Sequence, residues 1–160
     1  MNNSILNGME DNDIKYHTIE GLPKNDLLDE ILCLYQDIFS DADSKFFIER
    51  IQQELNVFSV LAFNNGKLIG FKIGYPKNQE IFYSWIGGVK TQYRSQGVGK
   101  TLAELQEVHA KHFGFQKLQT KSMNRFKPMM ILNLKNGFNI TKVYTNEKGQ
   151  TKIVFEKDLI

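Results

Sequence analysis

Between Glu80 and Phe113 the chain reads EIFYSWIGGVKTQYRSQGVGKTLAELQEVHAKHF: an apolar β run, a turn with glycines at 97 and 99, then an amphipathic helical run. A strand that passes through a glycine turn directly into a helix constrains the fold strongly. The strand belongs in a sheet, the helix packs back on that sheet, and the unpaired first amides of the helix face the end of the strand. The positive end of the helix dipole falls at the same point, so the turn is a cradle for an anion. Gly97 and Gly99 let an oxygen-bearing group approach the backbone where a Cβ would collide, and a turn of this size suits a pyrophosphate.

The run Gly97-Val98-Gly99-Lys100-Thr101 ends like a nucleotide-binding P-loop, but the rest of that pattern is missing. A P-loop needs a glycine five residues before Gly99, and Arg94 stands there. Only about sixty residues follow the turn, with no apolar strand ending in an aspartate for magnesium. The dinucleotide pattern Gly-x-Gly-x-x-Gly fails as well, because Leu102 occupies its last position.

The remaining chain alternates in type. Ile14–Ile19 reads as a short strand. "GLPKND" sets up a helix in which Asn25 caps the exposed amides, with Leu27, Leu28, Ile31, Leu34, Tyr35 and Ile38 at helical spacing. A second helix after Asp43-Ser44 places Phe47, Ile51 and Leu55 on one face. "NVFSVLAF" and "KLIGFKIGY" form a hairpin about Asn64-Asn65-Gly66, where the positive φ angles of a tight turn are available. In its second strand Ile69, Phe71, Ile73 and Tyr75 alternate with Leu68, Gly70, Lys72 and Gly74, and the two glycines leave one face open to close approach.

Beyond the glycine turn, Val98, Leu102, Leu105 and Val108 trace the helix, which Gly114 ends. "FQKLQTKS" resumes as a strand, Pro128 opens a shorter helix that Gly137 stops, and a last hairpin turns at Lys148-Gly149. The order β-α-α-β-β-β-α-β-α-β-β describes an α/β chain with a mixed sheet and helices on its faces.

A chain of 160 residues without repeat or linker is expected to form one domain over 1–160, the first dozen residues loosely ordered. Twenty Lys and Arg against 18 Asp and Glu, a net charge of +2, argue against a dedicated nucleic-acid surface. No leader-like or membrane-length apolar segment is visible, so a soluble, cytoplasmic protein is expected. The one cysteine, Cys33, among Ile31, Leu32 and Leu34, reads as core packing. His109 and His112 have no Asp or Cys at ligand spacing, and no metal is expected.

Arg94-Ser95-Gln96-Gly97-Val98-Gly99 matches the [Arg/Gln]-x-x-Gly-x-[Gly/Ala] signature of the GNAT-superfamily N-acetyltransferases, which this chain resembles over nearly its whole length. The preceding strand, the following helix, the element order and the "KNGF" at Lys135–Phe138 are similar too. The resemblance implies a central, mostly antiparallel sheet of about six or seven strands with helices on both faces, and acetyl-CoA as co-substrate. It implies that backbone at Ile86, Gly87, Gly88 and Val89 binds pantetheine and the acetyl carbonyl, where consecutive glycines suit a β-bulge. Arg94, Ser95, Gln96, Gly97, Val98 and Gly99, with Lys100 and Thr101, take the pyrophosphate; Lys100 reads equally as an ordinary solvated lysine. Asn124 resembles a pantetheine-side asparagine of the family, or else caps the next helix.

Acetyl transfer to an amine needs a base for the amine proton and, often, an acid for the departing thiolate. Many family members serve the thiolate with a tyrosine four residues before the Gly-Phe pair; here that residue is Asn133, which leaves water or Tyr144 for the role. The place of the family's usual glutamate base falls near Tyr83, with Glu80 just ahead; Glu80 reads as a base acting through water or as a polar strand start. The aromatic residues Phe71, Tyr75, Phe82 and Trp85 are core by default, or floor an acceptor cleft. Lys121, Arg125 and Lys127 meet the cofactor's 3′-phosphate or form a solvated face. The expectation is an acetyl-CoA-dependent N-acetyltransferase acting on an amine-bearing acceptor, as monomer or homodimer, with no membrane or nucleic-acid partner. A non-catalytic acyl-CoA-binding module is the alternative.

Overall fold

The structure is a computed structural model that describes residues 13–160, so the expectation of a loosely ordered first dozen lies outside the described residues. In chain order the elements are β1 (Ile14–Glu20), α1 (Asn25–Ile38), α2 (Ser44–Gln53), β2 (Phe58–Asn64), β3 (Lys67–Pro76), β4 (Ile81–Val89), α3 (Val98–His112), β5 (Lys117–Ser122), α4 (Lys127–Lys135), β6 (Asn139–Thr145) and β7 (Thr151–Asp158). A single 3-10 turn at Thr91–Tyr93 separates β4 from the glycine turn. The strands form one sheet in the order β1-β2-β3-β4-β5-β7-β6, and β4 with β5 is its one parallel pair among the described residues.

The hairpin between β2 and β3 turns at Asn65 and Gly66, whose φ angles of 51° and 75° are those a two-residue primed turn demands. One register shift then changes the alternation expected along β3. Ala62 pairs with Gly70 and Phe63 with Leu68, which leaves Ile69 as an extra residue. The bulge flips the facing, so Leu68 joins Phe71, Ile73 and Tyr75, and Ile69 packs on the opposite side.

Each face of the sheet carries its own core. Under α1 and α2 lie Ile31, Leu34, Phe47, Ile51, Leu61, Phe71 and Ile73. Under α3 lie Val60, Phe82, Val98, Leu102, Ala110, Leu118 and Phe155. The two glycines of β3 are what admit α3. A Cβ at Gly70 would meet Leu102 Cδ1 at 3.3 Å, and one at Gly74 would meet Phe82 Cε1 at 2.5 Å and Gln106 Nε2 at 2.8 Å.

Several local expectations are corrected. Asn25 does not cap α1: Lys24 holds the cap position without a side-chain bond, and Asn25 opens the helix at φ 49°, a left-handed conformation that a short polar residue tolerates. Asp43 does cap α2, its carboxylate accepting from Phe46 N–H at 3.1 Å. Leu55 lies past the end of α2 and is 80% exposed, because the chain turns at Asn56 with φ 55°. Cys33 is exposed, since it falls between the Ile31 and Leu34 stripe and the helix's outer side. On α3 the buried stripe runs Val98, Leu102, Gln106, Ala110, a polar residue included, while Val108 points outward.

His109 flanks that stripe, its ring stacked on Phe58 at 3.6 Å and edge-on to Phe82 at 5.6 Å. Burial holds its pKa below the ordinary 6.5, against the opposing pull of Glu20. The folded state therefore binds fewer protons here than the unfolded chain. Stability from this site is fully present above pH 6.5 and is lost as pH falls from 6.5 through the lowered value. Thermal melts between pH 7.5 and 5 are expected to show a falling midpoint, with a shallower fall in His109→Phe; equal slopes in the two proteins would remove this account.

Candidate functional site

Strands β4 and β5 run side by side only from Ile81↔Lys117 to Ser84↔Thr120. The Thr120 hydroxyl donates to the Ser84 carbonyl at 2.8 Å, closing the vertex of a fork. Past it, β4 continues to Val89 paired with β3 on one side and, among the described residues, with no strand on the other. An open length of strand edge, with backbone donors and acceptors along it, therefore leads from Ser84 toward the glycine turn.

A bulge bends β4 at the vertex, but not at the glycines. Ile73 pairs with Ile86 and Gly74 with Ser84, so Trp85 is the extra residue. Its indole finds cover against Phe47 at 5.0 Å and Tyr75 at 6.4 Å, and that burial sets where the additional residue goes. Gly87 and Gly88 serve close approach instead. A Cβ at 87 would lie 2.9 Å from the Phe71 carbonyl oxygen, and one at 88 would lie 2.9 Å from Ile38 Cδ1 at the end of α1.

The open edge ends at the turn. Ser95 and Gly97 both take left-handed backbone, φ 63° and 81°, and curl the chain into α3. The first intrahelical bond runs from Thr101 N–H to the Gly97 carbonyl at 3.0 Å, so the amides of Val98, Gly99 and Lys100 are the helix's unpaired N-terminal donors. No Cβ contact constrains Gly97, which is needed for its φ; Gly99 lies against Leu132 of α4, 3.3 Å from where its Cβ would stand. The Arg94 Nε–H donates to the Val89 carbonyl at 3.0 Å, Gln96 donates to the Gln92 carbonyl at 3.2 Å, and the Thr101 hydroxyl donates back to Gly97 at 3.1 Å. Lys100 is two-thirds exposed and 3.9 Å from Glu104, a loose surface pair. The turn thus offers backbone amides and an arginine to an anion.

Beside the vertex, between α3, α4 and the sheet, is a cavity of about 310 Å³ lined by Lys72, Ser84, Gln106, Thr120 and Asn133 among others. Asn133 is buried on α4 and reaches this cavity from the side opposite the sheet. Gln106 is 1% exposed, and its Nε2 has no hydrogen-bond partner among the described residues. Lys72 and Gln106 escaped the sequence reading. Their signal was present: a lysine between Gly70 and Gly74 on an otherwise apolar strand, and a glutamine in phase with Leu102.

The other predicted residues lie elsewhere. Asn124 is exposed in the turn after β5 and caps nothing, since Phe126 holds the cap position of α4. Its neighbour Arg125 pairs with Asp41 at 2.6 Å, tying that turn to the loop after α1. Glu80 is exposed in the turn before β4, its backbone held by Asn78, four residues before the vertex. Tyr83 is on the α1–α2 face, edge-on to Tyr75 at 5.5 Å, and burial pushes its phenol up to about 12. At neutral pH it can donate a hydrogen bond but does not take up a proton. Arg50 donates to the Tyr75 hydroxyl at 2.8 Å on the same face. Tyr144 follows Val143, which pairs with Ile153 of the α3-side core; it faces the other way, between Lys121 at 5.4 Å and Lys142 at 5.3 Å. Tyr144 and Asn133 are therefore on opposite faces of the sheet. No cluster of three His, Cys, Asp or Glu suited to a metal occurs among the described residues, and no described helix is long and apolar enough to cross a membrane.

The mixed sheet with helices on both faces is the architecture of acetyltransferases of known structure. The family model described as "Acetyltransferase (GNAT) family" matches residues 25–129, and the chain belongs to that family. The fold is similar to a GNAT family acetyltransferase from Elizabethkingia anophelis solved with acetyl-CoA bound, at 22% identity, TM-score 0.72, over 92% of this chain and 99% of that one. It is similar to the ribosomal-protein-S18-alanine N-acetyltransferase of Escherichia coli at 17% identity, TM-score 0.73, covering 89% and 94%. An aminoglycoside 6′-N-acetyltransferase complexed with coenzyme A gives 17% identity, TM-score 0.74, covering 90% and 97%. No curated protein matches the chain in sequence.

Proposed function

We propose that this protein transfers the acetyl group of acetyl-CoA to a primary amine of a small molecule, peptide or protein. The observation that carries the reading is the continuity of the open β4 edge with the amides that start α3. The amides of Val98, Gly99 and Lys100 hold the pyrophosphate, with Arg94 adding charge. Backbone from Ile86 to Val89 pairs with the amide-bearing pantetheine arm as a neighbouring strand would, which places the thioester at the vertex near Ser84. Bound there, acetyl-CoA supplies the activated acyl carbon. The chain's residues supply position, exclusion of water and backbone polarisation of the carbonyl.

The acceptor approaches from the α1–α2 face, where Trp85, Tyr83, Tyr75 and Arg50 surround the other side of the bulge. The amine's proton leaves through water. Asn133, which cannot donate as a phenol does, favours a second reading as an acyl-CoA-binding module without turnover.

Calorimetric titration with acetyl-CoA, in parallel with ATP plus magnesium, tests the site, and thiol release across an amine panel tests the chemistry. Saturable acetyl-CoA binding with amine-dependent CoA release is expected. Binding without release on any amine would leave the binding-module reading. Binding of ATP, or of neither ligand, would overturn both.

A further inference from the structure

The cavity beside the vertex holds the amino group of Lys72, which forms no ion pair among the described residues. Lys72 projects from β3 on the face of Gly70 and Gly74, directly across from Gly87, and its Cγ passes 3.3 Å from the position a Cβ on Gly87 would take. It lines the cavity together with Ser84, Gln106 and Asn133. Burial alone brings its pKa down to about 8 from the ordinary 10.5.

The charged groups around the cavity are engaged with one another. From α3, Glu104 is 3.9 Å from Lys100, and Glu107 is 2.7 Å from Lys157 of β7 and 3.0 Å from Lys111. From α4 comes Lys135, a like charge. On the sheet side β2 places Val60 beside Lys72, β4 offers Gly87 and Ser84, and β5 offers Leu118 and Thr120, none of them charged. A crowded ammonium with no counter-ion costs stability, and the cost is recovered when negative charge arrives beside it. The unpartnered Nε2 of Gln106, nearly inaccessible on the same cavity, is a second donor awaiting an acceptor.

We infer that Lys72 is the catalytic residue that meets the sulfur of the thioester, donating to it as the C–S bond breaks, in the role that Asn133 cannot fill. The inference rests on the acetyl-transfer reading above. The neutral acceptor nitrogen forms the new C–N bond, and the C–S bond breaks with its electron pair going to sulfur. Lys72 donates a hydrogen bond to that sulfur, which departs as a thiolate held against the ammonium and takes a proton from solvent on release. The acceptor nitrogen sheds its extra proton to water, and Lys72 keeps its own.

The test compares ligands that differ only at sulfur. CoA is expected to bind wild-type protein more tightly as pH rises toward about 8, as its thiol ionises against Lys72, and then to level off; desulfo-CoA, which lacks the sulfur, is expected to bind with no such trend. Lys72→Met should retain acetyl-CoA affinity within about threefold, lose about tenfold in CoA affinity at pH 8, and raise the thiol pKa of bound CoA by about one unit, read by thiolate absorbance. Lys72→Arg should keep most of the CoA preference. Normal acetyl-CoA binding with an unmoved thiol pKa in Lys72→Met would overturn the role of Lys72 while leaving the acetyl-CoA site intact. So would accumulation of an acetyl group on Lys72 in the wild type, since the residue would then be a nucleophile. Should Lys72→Met not fold, identical pH trends for CoA and desulfo-CoA on the wild type overturn it equally. Failure of the wild type to bind any of these ligands would instead sink the proposed function.

Discussion

Alanine at position 74 is expected to destabilise the protein by about 3 kcal/mol, the upper end of what overpacking costs. The added methyl carbon would stand 2.5 Å from Phe82 Cε1, 2.6 Å from the Tyr83 carbonyl oxygen and 2.8 Å from Gln106 Nε2. Phe82 is fully buried and the carbonyl is backbone, so neither can yield without moving α3 off the sheet or opening the β3–β4 ladder. For a domain of this size each kcal/mol shifts the thermal midpoint by about 2–4 °C, so a drop of about 6–12 °C is the expected reading. Gly66→Ala is the control. Nothing lies within 4 Å of its Cβ position, and only the strain of φ 75° is added, about 1 kcal/mol. Equal midpoints for Gly74→Ala and wild type would mean that α3 does not lie against β3 as described.

Gly97→Glu is expected to weaken acetyl-CoA binding on the order of a hundredfold while leaving the fold in place. No atom lies within 4 Å of a Cβ at this position, so the side chain has room; the left-handed φ of 81° adds about 1 kcal/mol of strain. The damage is electrostatic. A carboxylate one residue before the amides of Val98, Gly99 and Lys100 engages them itself and repels a pyrophosphate arriving there. Gly97→Ala carries the strain without the charge and should lose about tenfold or less, which separates distortion of the turn from competition for its amides. Unchanged affinity in Gly97→Glu, measured by calorimetry at matched salt, would place the anion site elsewhere.

Much of this was legible in the chain because it depends on neighbours in sequence. The turn at Asn65-Gly66 and the stop at Gly114 follow from backbone conformations that few residues accept. Alternating and helical apolar spacing then mark which segments are strands and which are helices, and the element order of a mixed sheet follows. The amides that start α3 were predictable for the same reason, since a helix end leaves them unpaired wherever it occurs.

What tertiary structure decided involves partners far apart in the chain. The bulge is at Trp85 rather than at Gly87-Gly88 because Phe47 and Tyr75, from α2 and β3, offer the indole a place to be buried. The glycines of β3 and β4 answer to Gln106, Phe71 and Ile38, contacts that no local rule contains. Tyr144, which the sequence offered for the thiolate role that Asn133 leaves open, lies on the opposite face of the sheet from Asn133. Lys72 read as one polar residue on a strand until β4, β5, α3 and α4 closed around it. Its environment, and hence its chemistry, is a sum over residues drawn from several other elements, so only the folded chain could determine it.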